Sequence, residues 1–370
     1  MRVALNLVYL VPGETGGMET YARELVPRLA ATPGLRVTAL VSRAAEGEDL
    51  GCETIVLPVD ARSRVDWVRG EQQHASAAAE RLGAELVHSL ASTAPLHGRA
   101  RRVTTIHDLN YKLVPETHFG LRGLGMRLLV PAAARRSHRI VVDAVSTKRD
   151  LVEHLGTPAG KIDVVPLAAS APRAAPAPAG ELRERLGLGA RPIVLSASAK
   201  RPHKNIARLL QALARIPLER RPVLVVPGYP TPYEAELRAI AAGLALRDDV
   251  VFPGWLDAAE LEGLYALARC VVFPSLYEGF GLPVLEAMVR GVPVACSDRS
   301  SLPEVAGDAA LLFDPEDVPA ITLAVERIVG DLELADRLAQ AGREQAARFS
   351  WDRTAAQTVE SYRRALQSAR

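Results

Sequence analysis

Cysteine is scarce in this chain. Only Cys52, Cys270 and Cys296 occur among 370 residues, and no two form a C-x-x-C pair. That excludes a disulfide framework and a thiolate metal site, and it predicts reduced, buried thiols in a cytosolic protein. Charge of one sign is lacking too. A net charge of +2, with no basic face rich in aromatics, leaves no case for nucleic-acid binding. No apolar run reaches membrane-spanning length. The opening "MRVALNLVYLV" runs into "PGETGG" without a small-residue cleavage site, so it reads as a buried first strand and not as a secretion signal. There is no complete G-x-G-x-x-G, which counts against a nicotinamide dinucleotide, and no tandem repeat of short period.

What remains has the composition of a soluble globular enzyme, 48% hydrophobic and 24% charged, and is long enough for two cores. Short apolar runs alternate with longer helical patterns, the signature of parallel α/β layers. "RVALNLVYL", "RVTALV", "TIVLP", "AELVHSL", "RRVTTIH", "HRIVVD" and "IDVVPL" are the strand candidates of a first domain over residues 1 to 168. Residues 169 to 180, "ASAPRAAPAPAG", are rich in proline and alanine and read as a linker. The pattern restarts over 181 to 350 with "RPIVLSAS", "RPVLVVPG", "DVVFPG", "RCVVFPS", "GVPVACSD" and "AALLFDP". A last helix over 351 to 370 is expected to pack back across the domain boundary. The fold class is therefore α/β, with two doubly wound, Rossmann-like domains expected to face each other across a deep cleft lined by the carboxyl ends of their strands.

Four stretches stand at such strand ends. In "GETGGME", residues 13 to 19, Gly16 and Gly17 would let the backbone approach a phosphate or sugar closely, although a solvent loop also fits. In "TTIHDLN", residues 104 to 110, His107 and Asp108 open a loop where polar residues are often functional, the alternative being a local cap. In "SASAKRPHKN", residues 196 to 205, Lys200, Arg201 and Lys204 could neutralise a diphosphate or form a solvated basic turn. The fourth is "SLYEGFGLPVLEAM", residues 275 to 288. Pro283 marks a helix start near Leu282, and Gly291 with Pro293 marks its stop. Glu278 then sits on the entering loop and Glu286 one turn inside, on either side of a helix N-terminus fit for an anion. This suggests a ligand with both hydroxyls and phosphate; the Phe280 ring could simply wedge into the core.

The stretch from 273 to 315 resembles the donor-binding region of retaining glycosyltransferases with the GT-B fold, family 4. "GGME" at 16 to 19, "IHDL" at 106 to 109 and "HKN" at 203 to 205 follow in the family's order, and "VVFPGWL" at 250 to 256 resembles the segment whose backbone meets the nucleotide base. The resemblance implies that Glu286 holds the ribose and that Glu278 contacts the donor sugar. It also implies that the N–H groups of Phe280, Gly281 and Leu282 meet sugar or phosphate; closure of the two halves around the donor, expected from the linker and an interdomain site, would bring Gly16 and Gly17 to the diphosphate. Leu256 would belong to the base segment, and His107 would lie by the reacting carbon. Lys204, with Arg201, would neutralise the leaving diphosphate. Many members carry an arginine five residues before that lysine, but Ala199 stands there in this chain; Arg201 is the substitute of choice and Lys200 the alternative.

The chain has no Asp-x-Asp triplet, the pair commonly used by metal-dependent transferases, so no metal and no cofactor are expected beyond the nucleotide-diphosphate sugar itself. Transfer to an acceptor hydroxyl would proceed with retention by front-side attack. A nucleotide-sugar hydrolase or epimerase, or a non-catalytic nucleotide-sugar-binding protein, are the alternatives on the same plan. The acceptor, a carbohydrate, lipid-linked sugar or natural product, would bind the first domain through loops 9–20, 88–98 and 107–125. Location is expected to be cytoplasmic. Residues 118 to 139 mix apolar and basic side chains, which fits a packed helix with a basic solvent face or, alternatively, contact with the inner face of an anionic membrane.

Overall fold

The structure is a computed structural model that describes residues 1–114 and 120–367, with side chains described outside 120–124. The expected apolar runs form parallel strands. In the first unit these are β1 Arg2–Leu7, β2 Arg36–Val41, β3 Glu53–Val56, β4 Leu86–Ser89, β5 Arg101–Thr105, β6 Arg139–Val142 and β7 Ile162–Val164. The second unit has β8 Ile193–Leu195, β9 Val223–Val225, β10 Val250–Val251, β11 Ala268–Phe273, β12 Val294–Ser297 and β13 Ala310–Phe313. Each sheet is covered by helices, which is why its strands are nearly continuous in apolar residues and not alternating.

Strand order is β3-β2-β1-β4-β5-β6-β7 in one sheet and β10-β9-β8-β11-β12-β13 in the other. Each sheet therefore reverses direction once, between β1 and β4 and between β8 and β11. At such a switch point the connecting helices leave to opposite faces and open a crevice at the carboxyl edge, where ligands of doubly wound sheets bind. The first unit's core lies on both sheet faces, with Ala4, Leu40, Val87 and Ala78 in one cluster and Ile106, Ile140, Val142 and Leu151 in another. The second is built on Leu209, Leu213, Leu224, Val272, Ile321 and Ile328.

The chain divides after Leu167, and the second unit spans Ala168–Phe349. Its first residues are docked along it: the Ala177 N–H donates to the Ala259 carbonyl at 2.8 Å and the Arg173 N–H to Glu262 at 3.3 Å. A helix, Ala179–Leu186, begins inside the span read from composition as linker. Proline fixes the backbone there without preventing it from lying against a surface.

The C-terminal helix, Trp351–Gln367, belongs to the first unit, packed on the helix Gly17–Ala30 and on β5 and β6. Thr354 donates to the Pro166 carbonyl at 2.6 Å, and Arg364 pairs with Asp163 at 2.6 Å. Among the described residues no helix is long and apolar enough to cross a membrane. Of the basic stretch 118–139, residues 118 and 119 and the side chains up to 124 lie outside the described residues, as does part of loop 107–125. The remaining helix buries Val130, Ala133 and Ala134 and exposes Arg135 and Arg136.

Candidate functional site

The second unit's polar centre begins at the end of β8. Asn205 adopts a left-handed backbone, φ 59°, a conformation asparagine tolerates better than most residues. Its side-chain amide donates to the carbonyls of Pro274, at 3.0 Å, and Pro315, at 2.7 Å, tying this loop to the ends of β11 and β13. His203 is buried and its carbonyl accepts from the Leu276 N–H at 2.8 Å. The residue between them, Lys204, is thereby aimed at the β11 loop. Its ammonium lies 2.6 Å from Glu278 Oε1 and 5.4 Å from the centre of the Phe273 ring.

Lys200 is not available to a ligand. It is fully buried, and its ammonium donates to the carbonyls of Gly228, at 2.7 Å, and Tyr229, at 3.1 Å, beside Glu234 at 3.3 Å. Burial pulls its pKa down, against the pull of Glu234. This lysine joins two loops, which removes it as the alternative cation. Arg201 is exposed.

Gly281, φ 104°, caps the helix Leu282–Val289, which has Pro283 in its first turn. A Cβ at Gly281 would stand 2.6 Å from Leu302, so both conformation and space require glycine there. The turn before it is held by two serines that sequence reading did not single out. Ser300 accepts from the Glu278 N–H at 2.9 Å, and Ser301 donates to the carbonyls of Glu278 and Phe280 at 3.0 and 2.8 Å. With the carbonyls taken, the N–H groups of Phe280, Gly281 and Leu282 have no acceptor among the described residues. The Phe280 ring is buried edge-on against Phe349, at 6.0 Å, so only its backbone is available.

Glu286, one turn into the helix, is half-buried, and the Tyr265 hydroxyl donates to it at 3.4 Å. Burial raises its pKa, while Arg290 and Arg173 lower it. The hydroxyls of Ser196, Ser198 and Ser275, around the ends of β8 and β11, are buried without partners among the described residues. Leu256 is buried, whereas its neighbour Trp255 is 63% exposed and stacks on Tyr229 with ring centres 4.2 Å apart. Among the described residues no three His, Cys, Asp or Glu side chains are grouped to hold a metal.

The first unit has its own polar centre at its carboxyl edge. Gly16, φ 56°, precedes the helix that starts at Gly17. His107 follows β5; its Nδ1 lies 2.7 Å from Asp143 Oδ2, its Nε2 2.9 Å from the Leu90 carbonyl, and the Tyr21 ring meets it edge-on at 5.1 Å. Two acceptors facing two nitrogens favour the doubly protonated ring. Burial opposes that charge, but Asp143 and the Leu90 carbonyl outweigh it, raising the His107 pKa to about 9. Asp108 accepts from the Asn110 N–H at 2.9 Å, a local turn. Behind His107, the buried His88 links the Tyr362 hydroxyl, at 2.7 Å, to Thr105, at 2.9 Å.

The structure thus brings Lys204 and Glu278 into contact, places Glu286 and the 280–282 backbone on the same helix start, and finds His107, Gly16 and Gly17 on the first unit.

Known proteins resemble this chain. Residues 180–345 match the family model described as glycosyl transferases group 1, and residues 15–170 match glycosyltransferase family 4. The O-antigen chain mannosyltransferase B of Escherichia coli is 34% identical over 272 residues, covering 72% of this chain and 71% of that protein. A GDP-mannose-dependent alpha-(1-6)-phosphatidylinositol monomannoside mannosyltransferase of Mycolicibacterium smegmatis is 29% identical over 367 residues, covering 90% and 91%. Among solved structures, the sucrose-phosphate synthase of Thermosynechococcus elongatus superposes with a TM-score of 0.80 at 23% identity, over 98% of each chain. Two parallel α/β sheets, the loops at their carboxyl edges and these likenesses agree: the chain belongs to the group 1, family 4 glycosyltransferases and has the GT-B fold.

Proposed function

We propose that this protein is a retaining, metal-independent mannosyltransferase. It would move mannose from a nucleotide-diphosphate donor, GDP-mannose in the first instance, to a hydroxyl of a glycan or lipid-linked acceptor. The observation that carries the reading is the Lys204–Glu278 pair, 2.6 Å apart beside the Leu282–Val289 helix N-terminus. A lone buried ion pair stabilises a fold weakly, because desolvation offsets attraction. Here each partner has a use once the pair opens. The ammonium passes to the diphosphate, and the carboxylate accepts from the sugar hydroxyls.

The donor is then held as follows. Glu286 takes the ribose, and the backbone near Leu256 takes the base. The N–H groups of Phe280, Gly281 and Leu282 take sugar or phosphate, Arg201 assists Lys204, and Gly16 and Gly17 close on the diphosphate. His107 presents a fixed positive edge near the reacting carbon. In the transfer, the bond from the anomeric carbon to the β-phosphate oxygen breaks while the acceptor oxygen bonds the same face of that carbon. The acceptor's proton passes to the departing phosphate oxygen. Lys204 and the helix N-terminus stabilise the charge developing there, the task a metal would otherwise perform. The names of the bacterial relatives support mannose as the sugar and a lipid-linked acceptor. The location would be cytoplasmic, at the inner membrane face where the acceptor is lipid-linked.

The test is transfer from GDP-mannose to mannosylated lipid and oligosaccharide acceptors in excess EDTA, with the product's anomeric configuration read by NMR. An α-linked product formed at an undiminished rate is the expected result. Loss of activity restored by Mg²⁺ or Mn²⁺ overturns metal independence, and a β-linked product overturns retention. Free mannose released at the same rate without acceptor indicates the hydrolase instead, and binding without turnover indicates the non-catalytic protein.

A further inference from the structure

The helix after β3 changes its winding midway: α-helical over Arg64–Arg69, it becomes π-helical over Gly70–Ala75 and α-helical again over Ser76–Arg81. A π-turn inserts an extra residue into the helix and is commonly found where a side chain must be aimed. Any side chain at Gly70 would collide with Val59, so the turn begins at a point of close backbone packing. The two residues that follow, Glu71 and Gln72, both reach the loop after β4. Glu71, 2% exposed, accepts from the Asn6 amide at 2.9 Å and from the Thr93 hydroxyl at 3.0 Å. Gln72 donates to the Ala94 carbonyl at 3.0 Å and accepts from the Leu96 N–H at 2.9 Å.

Asn6 and Ser89 are partners in register at the last rung between β1 and β4, where the sheet reverses, and their side chains are bonded at 3.0 Å. The Asn6 carbonyl also receives the Leu90 N–H at 3.5 Å, and the Leu90 carbonyl in turn accepts from His107. We infer that Glu71 and Gln72 are positioning residues for the transfer reaction. They fix the loop from Leu90 to Leu96 at the sheet's switch point and, through the Leu90 carbonyl, the orientation and proton of His107 Nε2. This rests on the proposed placement of His107 beside the reacting carbon.

Glu71 is suited to that task because its partners are neutral: Asn6 on β1, Thr93 in the β4 loop and the adjacent Gln72, whose amide donates to it at 3.5 Å. The groups facing it from β1 and from the β4 loop are Asn6, itself bonded to Ser89, and Thr93, none of them charged. Burial without a cation pushes its carboxyl up to about 7. A change at position 71 therefore acts through the loop it holds, with no ion pair broken elsewhere.

The experiment uses the full chain with ¹⁵N-histidine labelling. It measures kcat at saturating donor, nucleotide-diphosphate affinity by calorimetry, and the His107 ring nitrogens by NMR. Glu71→Ala and Gln72→Ala are expected to lower kcat by about 10-fold or more, to leave nucleotide affinity within about twofold, because that site is proposed on the other unit, and to move the His107 Nε2 resonance. Glu71→Gln keeps an acceptor oxygen for Asn6 and Thr93 and is expected to restore both rate and resonance. Should Glu71→Ala fail to fold, Gln72→Ala carries the same readouts. A folded alanine variant with normal kcat and an unmoved His107 resonance overturns the inference. If His107→Ala itself keeps a normal kcat, the placement of His107 fails, and this inference with it. If His107→Ala is inactive while both alanine variants are normal, only the positioning role is lost.

Discussion

The two units each hold a partly buried ion pair at the carboxyl edge of a parallel sheet, and the pairs are built to opposite ends. Lys204 and Glu278 meet through one contact, between loops held from behind by Asn205 and Ser300. His107 is held on both sides, by Asp143 and by the Leu90 carbonyl, with Tyr21 against its edge. A pair joined at a single point can open and hand each charge to a ligand. A ring with both nitrogens bonded cannot turn, and it contributes a fixed field. The lesson is that similar charge gives a pair joined at one point in one unit, the proposed gate, and a ring fixed on both sides in the other, the proposed wall.

The largest expected effect breaks the gate. Lys204→Ala should lower kcat by about 100- to 1,000-fold, the range for removing one donor that stabilises developing oxyanion charge. Steady-state kinetics alongside a thermal melt checks this, and a folded variant with near-normal kcat would reduce the loop to a solvated turn.

Next, the two glutamates should separate. Glu286→Ala should weaken both the bare nucleotide and the sugar nucleotide by about 1.5–3 kcal/mol, the usual cost of losing a charged hydrogen-bond partner. Glu278→Ala should spare the bare nucleotide and damage turnover. Calorimetry with both ligands decides, and equal losses of nucleotide affinity would show that their roles have been misassigned.

The last test concerns the wall. Burial opposes charge on His107, yet Asp143 and its hydrogen bond prevail and hold the pKa at about 9 against an ordinary 6.5. The native state therefore binds this proton more tightly than the unfolded chain. The resulting stability is fully present below about 6.5 and is lost as pH rises through about 9. Asp143→Asn keeps a bond to Nδ1 and removes the charge. It should destabilise the protein at pH 6 and much less near pH 10. Denaturation at the two pH values measures the difference; an equal loss at both would mean that Asp143 acts by shape alone.

Much of this was legible in the sequence, because parallel strands buried on both faces are continuous apolar runs and a helix opened by Gly281 and Pro283 announces its start. Side-chain direction was not. Nothing local distinguishes Lys200 from Lys204, yet one turns inward to two carbonyls and the other reaches Glu278. The Asp143 partner of His107 lies 36 residues away, just past the end of β6. The π-turn at Glu71 was hidden inside a helical pattern, since one inserted residue barely alters apolar spacing over a single turn. Proline and alanine over 169 to 180 suggested a linker but not that it would be docked, as Ala177 is on the second unit.

The helix Trp351–Gln367 also sets a timetable for synthesis. The second unit is contiguous, Ala168–Phe349, but the first is completed only by residues from Ser350 onward. His88 must wait for Tyr362, which emerges 274 residues later. At translation rates of roughly 5–20 residues per second that is about 14–55 s. During this interval β5, β6 and the helix Gly17–Ala30 have an apolar face without its cover. The usual vectorial order is thereby inverted: the unit begun first is completed after the second, and a ribosome stalled before Ser350 would carry one unit complete and one that chaperones must shield.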